Sequence, residues 1–197
     1  MHVLLALCHP VAESLNRHLG SAARVAAETA GHQVEVLDLA ATGFDPRMTA
    51  AERSGHYADS ADPALVDMAD QLRRAEILIL VFPTWWTGFP AVLKGWFDRV
   101  WRPGIAFDHS PDMARLIPLL DRLRHVIAIT TMGSPAWVDW LVLRQPLRRI
   151  MRLSIIAPCA PRARLHWLAL HRADVAGPAQ VAPFVRRIRA AVARLSR

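Results

Sequence analysis

Short apolar runs alternate along this chain with stretches whose apolar residues recur every three or four positions. His2–Cys8 is a run of the kind buried on both faces of a sheet, and Gln33–Leu39, Glu76–Phe82 (with ILILVF inside it), His125–Thr131 and Ser154–Cys159 read as four further strands. Between them lie helical stripes. Leu15, Leu19, Ala22 and Ala26 form the first, ended by Gly31; Leu65, Met68, Ala69 and Leu72 form the second, opened by the N-cap acid Asp62 and by Pro63. A third starts at Pro90 and carries Leu93, Trp96, Phe97 and Val100. Residues 135–152 predict a helix interrupted by Pro146. The last, about 178–195, presents Val181, Phe184, Val185, Ile188, Val192 and Leu195 on one side. Residues 40–61, with Gly43, Pro46 and Gly55, read as a long connection.

Strand–helix alternation of this kind implies a parallel sheet with helices on both faces. Neither a repeat nor a domain boundary is visible, so residues 1–197 read as a single domain. Ligands of such sheets bind beyond the carboxyl ends of the strands, which directs attention to the loops after the first, third and fourth.

Composition narrows the options. At 53% hydrophobic the chain has ample material for a core. The two cysteines, Cys8 and Cys159, fall at the ends of the first and last predicted strands. They are too few for a disulfide scaffold, lack metal-binding spacing, and are not expected to pair. No uninterrupted apolar window is long enough for a transmembrane helix and no signal peptide opens the chain, so the expected location is the cytoplasm. Residues 1–100 carry 8 basic and 12 acidic side chains, residues 101–197 carry 16 and 5. Arginines such as Arg186, Arg187, Arg189 and Arg194 are spread along an amphipathic segment. They read as a solvated helix face rather than a nucleic-acid surface.

Three loops carry candidate chemistry. After strand one, His9-Pro10-Val11-Ala12-Glu13-Ser14-Leu15-Asn16 runs into a helix N-terminus, whose free N–H groups, with Ser14, Asn16 and His9, suit a phosphate; Ser14 as a plain N-cap explains the pattern equally well. After strand three, Pro83-Thr84-Trp85-Trp86-Thr87-Gly88 places adjacent indoles in a proline-flanked loop, the makings of a flat apolar pocket or of core contacts. After strand four, Thr131-Met132-Gly133-Ser134 forms a donor-rich turn.

With these loops the chain resembles the NAD(P)H:quinone oxidoreductase family of flavodoxin-like flavoproteins. The resemblance rests on His9-Pro10 with Ser14-Leu15-Asn16, on Asp38-Leu39 and Phe44-Asp45-Pro46, and on FPTWWTGFPAVLKGWFDRVWRPGIAF, Phe82 to Phe107. Thr130-Thr131 and Gly133 add a weaker match. It implies a three-layer flavodoxin-like fold, a five-stranded parallel sheet in order 2-1-3-4-5 with helices on both faces. It also implies flavin held at its phosphate by His9, Ser14, Leu15 and Asn16, bordered at its ring by Pro83, Thr84, Trp85, Trp86 and Thr87, and met on its pyrimidine side by Thr131, Met132, Gly133 and Ser134. FMN is favoured over FAD by the modest length, and the donor is NADH or NADPH. Trp86, Phe107, His109 and Trp137 would line the substrate site. The implied activity is two-electron, ping-pong transfer from the nicotinamide cofactor to a quinone-like acceptor, with the flavin carrying the chemistry and no catalytic side chain assigned. The alternative is a regulatory flavoprotein subunit docked on a membrane transporter, with peripheral membrane contact.

A homodimer is implied as well, since Trp85, Phe89 and Trp101 lie off the stripe of the third helix and would otherwise be uncovered. The chain departs from the family in its single Gly133 after the threonines. It also has no match for the tyrosine–histidine pair that assists transfer in mammalian members.

Overall fold

The computed structural model describes residues 1–57 and 62–195. In chain order its strands are β1 (His2–Leu7), β2 (Gln33–Asp38), β3 (Ile77–Pro83), β4 (Phe107–His109), β5 (Leu116–Pro118), β6 (His125–Met132) and β7 (Arg164–His171). Five of them form one parallel sheet in the order β2-β1-β3-β6-β7, and β4 and β5 make a separate antiparallel pair. Counted within the sheet alone, this is the expected order 2-1-3-4-5. Every residue of β3 is buried, because it sits in the middle of the sheet with helices above and below.

The helices are α1 (Leu15–Thr29), α2 (Ala50–Ser54), α3 (Pro63–Arg74), α4 (Ala91–Val100), α5 (Pro146–Ile150), α6 (Ala157–Cys159) and α7 (Pro178–Ala193). Side chains alternate across each strand. Val3 and Leu5 of β1, Ile77 and Ile79 of β3, and Ile127 and Ile129 of β6 pack under α1 and α7. Leu4 and Ala6, Leu78, Leu80 and Phe82, and Val126 and Ala128 pack on the other face, under α3, α4 and the segment holding α5 and α6. α3 and α4 bury the stripes their sequences present, α1 and α7 bury theirs except for the partly exposed Leu15, Ala26 and Val181, and Arg186, Arg187, Arg189 and Arg194 of α7 are exposed as expected.

The fifth strand of the sheet corrects the sequence reading. Ser154–Cys159 is helical, a π-helix over Met151–Ile156 running into α6, and the strand is β7, Arg164–His171. Pro158 lies inside this continuous helical run, where it contributes no N–H to the backbone ladder. Cys159 therefore ends a helix, and Cys8 lies just past β1; both are buried and free. Burial, reinforced by nearby Asp38, drives the Cys8 thiol far above the usual range. Burial pushes Cys159 up to about 11.

The predicted helix over 135–152 is broken as well. A π-helix over Val138–Val142 ends at Arg144 and Gln145, both in left-handed backbone (φ 56° and 51°), before Pro146 starts α5.

The expectation that Phe89 and Trp101 stand uncovered fails. Trp101 is buried against Trp96 and Phe97, and Phe89 packs on Phe82 and Phe97. The connection after β2 is more ordered than its composition suggested. It contains α2, closed by a Thr49–Glu52 capping box, and its residues 58–61 lie outside the described residues. Arg99 of α4 fastens this connection: it bonds Glu52 at 2.7 Å and the Asp45 carbonyl at 2.5 Å, and it lies over the Phe44 ring. Gly95, also on α4, lets the Pro46 backbone come so close that a Cβ there would be 2.3 Å from the Pro46 carbonyl oxygen. Among the described residues no helix is long and apolar enough to cross a membrane.

At the amino end of the sheet His125 of β6 and His166 of β7 meet, Nδ1 to Nε2, at 3.3 Å. Burial lowers both pKa values, with the partner ring and Arg164 adding to the effect at His125 and Arg164 at His166. A histidine held below its unfolded value of about 6.5 contributes stability above that pH. The contribution is lost as pH falls towards the folded value, because the unfolded chain binds the extra proton. The melting temperature is therefore expected to fall between pH 7.5 and 5, with a shallower slope in His166→Gln. Equal slopes would remove the pair from the account.

Candidate functional site

At the carboxyl edge of the sheet the loops after β1, β3 and β6 are tied into one unit. Asn16, in the first turn of α1, is 4% exposed. Its Nδ2 donates to Thr131 Oγ1 at 2.9 Å, linking α1 to β6. The Thr84 amide donates to the Thr131 carbonyl at 2.8 Å, and the hydroxyls of Thr84 and Thr130 are 2.8 Å apart, linking the β3 loop to the same strand. Thr130, Thr131 and Met132 are buried, so this linkage is well shielded from water.

Ser14 is the N-cap of α1, in extended backbone, with its Oγ accepting from the Arg17 amide at 3.3 Å. That bond and the His18-to-Ser14 backbone bond leave the amides of Leu15 and Asn16 as first-turn donors without a partner inside the helix. The Val11 amide donates to His9 Nδ1 at 3.1 Å, so in the neutral ring the proton sits on Nε2, a donor. His9 also meets Trp85 edge-on at 6.2 Å between centroids. Arg17 is committed to Asp38 at 2.5 Å, which fixes the helix start over the end of β2. These donors converge around a helix N-terminus, where the backbone dipole favours an anion.

The β3 loop closes in a two-residue turn. Gly88 donates to the Trp85 carbonyl at 2.9 Å, and Trp86 and Thr87 between them have φ of 50° and 57°. This is the pattern of a type I′ turn, normally filled by Asn and Gly. A tryptophan and a β-branched threonine hold it at a cost of about 1–3 kcal/mol each, and strain of this size concentrates at functional loops. The turn lifts Trp86 fully into solvent and leaves Trp85 half exposed.

Beyond β6, Gly133 faces Asp174: a Cβ at Gly133 would lie 2.4 Å from Asp174 Oδ2. A side chain at 133 would therefore displace the segment after β7, which accounts for the one glycine in this turn. The Ser134 carbonyl accepts from the Arg172 amide at 3.2 Å.

Phe107 and His109 belong to a second group. They lie on β4 and pack edge-to-face with each other, and His109 meets Tyr57, which in turn meets His56. The buried His109 Nδ1 has no hydrogen-bond partner among the described residues. Tyr57, remote in sequence, is thus brought to a predicted substrate-site residue, a proximity carried by α2 and the capping box that sets its direction. Trp137 is 60% exposed and begins a run of uncovered apolar side chains: Trp140, Leu141, Val142, Ile150 and Leu153.

Sequence reasoning missed Asp139 and His171. Asp139 is 3% exposed, and its Oδ2 lies 3.1 Å from His171 Nε2. His171 escaped notice because the strand that ends on it was placed ten residues too early.

Comparison with known proteins bears on this arrangement. The chain is 35% identical over 107 residues to the uncharacterized NAD(P)H oxidoreductase YcaK of Escherichia coli (strain K12), covering 53% of this chain and 55% of that protein. It is 33% identical over 148 residues to NAD(P)H dehydrogenase [quinone] 1 of Cavia porcellus, covering 66% and 53%. The chain thus spans about half the length of these curated relatives. Among solved structures, NAD(P)H:quinone oxidoreductase from Methanothermobacter marburgensis superposes with a TM-score of 0.85 at 22% identity, covering 100% of this chain and 96% of that one, a likeness of fold. The sequence model of the family described as flavodoxin-like fold matches residues 1–162, which hold all three loops and four of the five sheet strands, and the chain belongs to that family.

Proposed function

We propose that the protein is a flavin-dependent oxidoreductase that passes two electrons from NADH or NADPH to a quinone-like acceptor. The observation that carries this reading is the convergence of three loops, locked together through Asn16, Thr131 and Thr84, on the edge where such sheets bind ligands. The names of the relatives, of whose length this chain covers about half, support the nicotinamide donor and the quinone acceptor.

The residues present fit a flavin. Asn16 Oδ1 is buried without a partner and, as an acceptor, suits a hydroxyl of the flavin's sugar-alcohol chain rather than its phosphate, which the Nδ2 end would meet. The first-turn amides of α1, Ser14 and His9 Nε2 are donors in want of an anion, the role of a phosphate. The Trp85–Gly88 turn offers backbone amides beside an exposed indole, suited to the border of a flat ring. When bound, the flavin supplies the electron chemistry, taking two electrons from the nicotinamide and yielding them to the acceptor.

The chain's own contribution is position and charge. His9, Ser14, Leu15 and Asn16 hold the phosphate; Pro83, Thr84, Trp85, Trp86 and Thr87 border the ring; Thr131, Met132, Gly133 and Ser134 meet its polar edge. Donors fixed at that edge stabilise negative charge arriving on the ring, as in an oxyanion hole. Trp86, Trp137, Phe107 and His109 form the apolar walls for the acceptor. Trp137, Trp140, Leu141, Val142, Ile150 and Leu153 are exposed apolar side chains, and a second copy of the chain covers them in this reading. FMN is the form proposed.

Purified protein reconstituted with FMN or FAD tests the reading. The expected result is about one flavin per chain, FMN by mass of the released group, a dimer by light scattering, and steady oxidation of NAD(P)H with a naphthoquinone. A colourless protein whose melting temperature neither flavin changes would overturn it.

A further inference from the structure

Asp139 and His171 form a pair that the loops described above do not account for. A carboxylate 3% exposed is costly to bury unless it is paired, and the hydrogen bond that the structure gives its side chain is to His171 Nε2, at 3.1 Å. His171 is the last residue of β7, and the strand register sets it directly beside Met132 of β6. Its parity along β7 is that of Leu165 and Trp167, which pack on the sheet face shared with Phe82. Thr130 and Met132 have the matching parity on β6, and Thr130 holds Thr84 of the β3 loop. The segment after β7 is joined to the turn after β6 by the Arg172-to-Ser134 bond and by the contact of Asp174 with Gly133. The pair therefore stands at the rim of the candidate site, with the edge of exposed Trp140 against the imidazole.

An ionised Asp139 accepts the Nε2–H of His171 and so fixes both the tautomer and the orientation of the ring. Nδ1 is the nitrogen left for other chemistry; it has no hydrogen-bond partner among the described residues.

We propose that His171, oriented by Asp139, donates the proton that reduction of a quinone-like acceptor requires; this rests on the oxidoreductase reading above. Reduced nicotinamide, a quinone and one proton give oxidised nicotinamide and a hydroquinone. The nicotinamide provides two electrons and one proton; the second proton passes from the Nδ1–H of the His171 imidazolium to a quinone oxygen. The N–H bond breaks as the O–H bond forms, and the imidazole regains its proton from water before the next turnover. Asp139 acts through the ring and is a positioning residue.

The test uses flavin-loaded protein with two acceptors: a naphthoquinone, which must be protonated, and ferricyanide, which takes one electron and no proton. His171→Gln is expected to lower quinone turnover about a hundredfold, within the usual range for loss of a general acid. Its ferricyanide turnover and its flavin affinity by fluorescence titration stay within about twofold, and added imidazole restores part of the quinone rate. In protein without flavin, at a pH where the ring is neutral, 15N NMR is expected to find His171 as the Nε2–H tautomer, and a mixture of tautomers in Asp139→Asn. His171→Asn serves in place of Gln should that variant not fold. Equal losses with both acceptors, an unchanged quinone rate, or an Nδ1–H tautomer in the parent would overturn the proposal while leaving the oxidoreductase reading intact. Unaltered protein that takes up no flavin overturns that reading, and the proposal with it, before any variant is made.

Discussion

A Gly95→Val chain is expected to lose a large share of its stability. The Cβ that any substitution adds at Gly95 would sit 2.3 Å from the Pro46 carbonyl oxygen and 2.4 Å from its Cα and Cβ. These are atoms of the backbone and of a closed ring, so no rotamer change relieves the contact. The connection cannot retreat freely either, because Arg99 holds the Asp45 carbonyl and Glu52 from the same helix. Relief would have to come from α4, which buries Trp96, Phe97 and Val100 in the core. Overpacking in a yielding core costs about 1–3 kcal/mol. Here neither side yields, and the branched side chain should cost at least about 3 kcal/mol of a total near 5–15 kcal/mol. Urea unfolding measures it, with Gly95→Ala expected to fall between the parent and Val. A valine variant within about 1 kcal/mol of the parent would mean that α4 and the connection are not so closely apposed.

Asn16→Ala is expected to weaken both the fold and the binding of flavin. It removes the bond to Thr131 Oγ1 and strands the hydroxyl of a buried residue, at a cost of about 1–3 kcal/mol. If the loop grips a phosphate, a charge-assisted bond worth about 1.5–3 kcal/mol goes with it, which lowers flavin affinity roughly ten- to a hundredfold. Ser14→Ala is the comparison. It removes the N-cap, so about 1 kcal/mol of stability should be lost. Flavin titration and apo-protein melting on both variants separate the roles. Unchanged affinity in Asn16→Ala, with a lowered melting temperature, would make Asn16 a strut between α1 and β6 and nothing more.

The sheet order was legible because β1, β3 and β6 are buried on both faces and read as unbroken apolar runs. The last strand was not. IIAPC is as apolar as a buried strand, and over five or six residues the period of a strand cannot be told from that of a buried helix. The true strand, RLHWLALH, lies at the edge of the sheet and keeps arginine and histidine among its apolar residues, which masked it. The same error hid His171, whose significance depends on its being the terminal residue of a strand. Within the site, the three loops could be located from sequence, since strand ends and helix starts have local signals. The bonds that join them could not, because the partners of Asn16 and Thr84 lie 115 and 46 or 47 residues away. Nor could the type I′ turn at Trp86-Thr87, which defies the residue preferences by which such turns are recognised.

The burial of Cys8 and Cys159 bears on how the protein would endure the chemistry proposed for it. Reduced flavins react with oxygen to give peroxide, and peroxide attacks sulfur in proportion to its thiolate content and its exposure. With Cys159 pushed up to about 11, roughly one thiol in ten thousand is ionised at neutral pH. Cys8, held still higher, is closed off beneath the sheet. Sulfenic acids and mixed disulfides thus have no ready foothold on this chain, and a preparation kept in air, without added reductant, should hold both sulfurs as thiols.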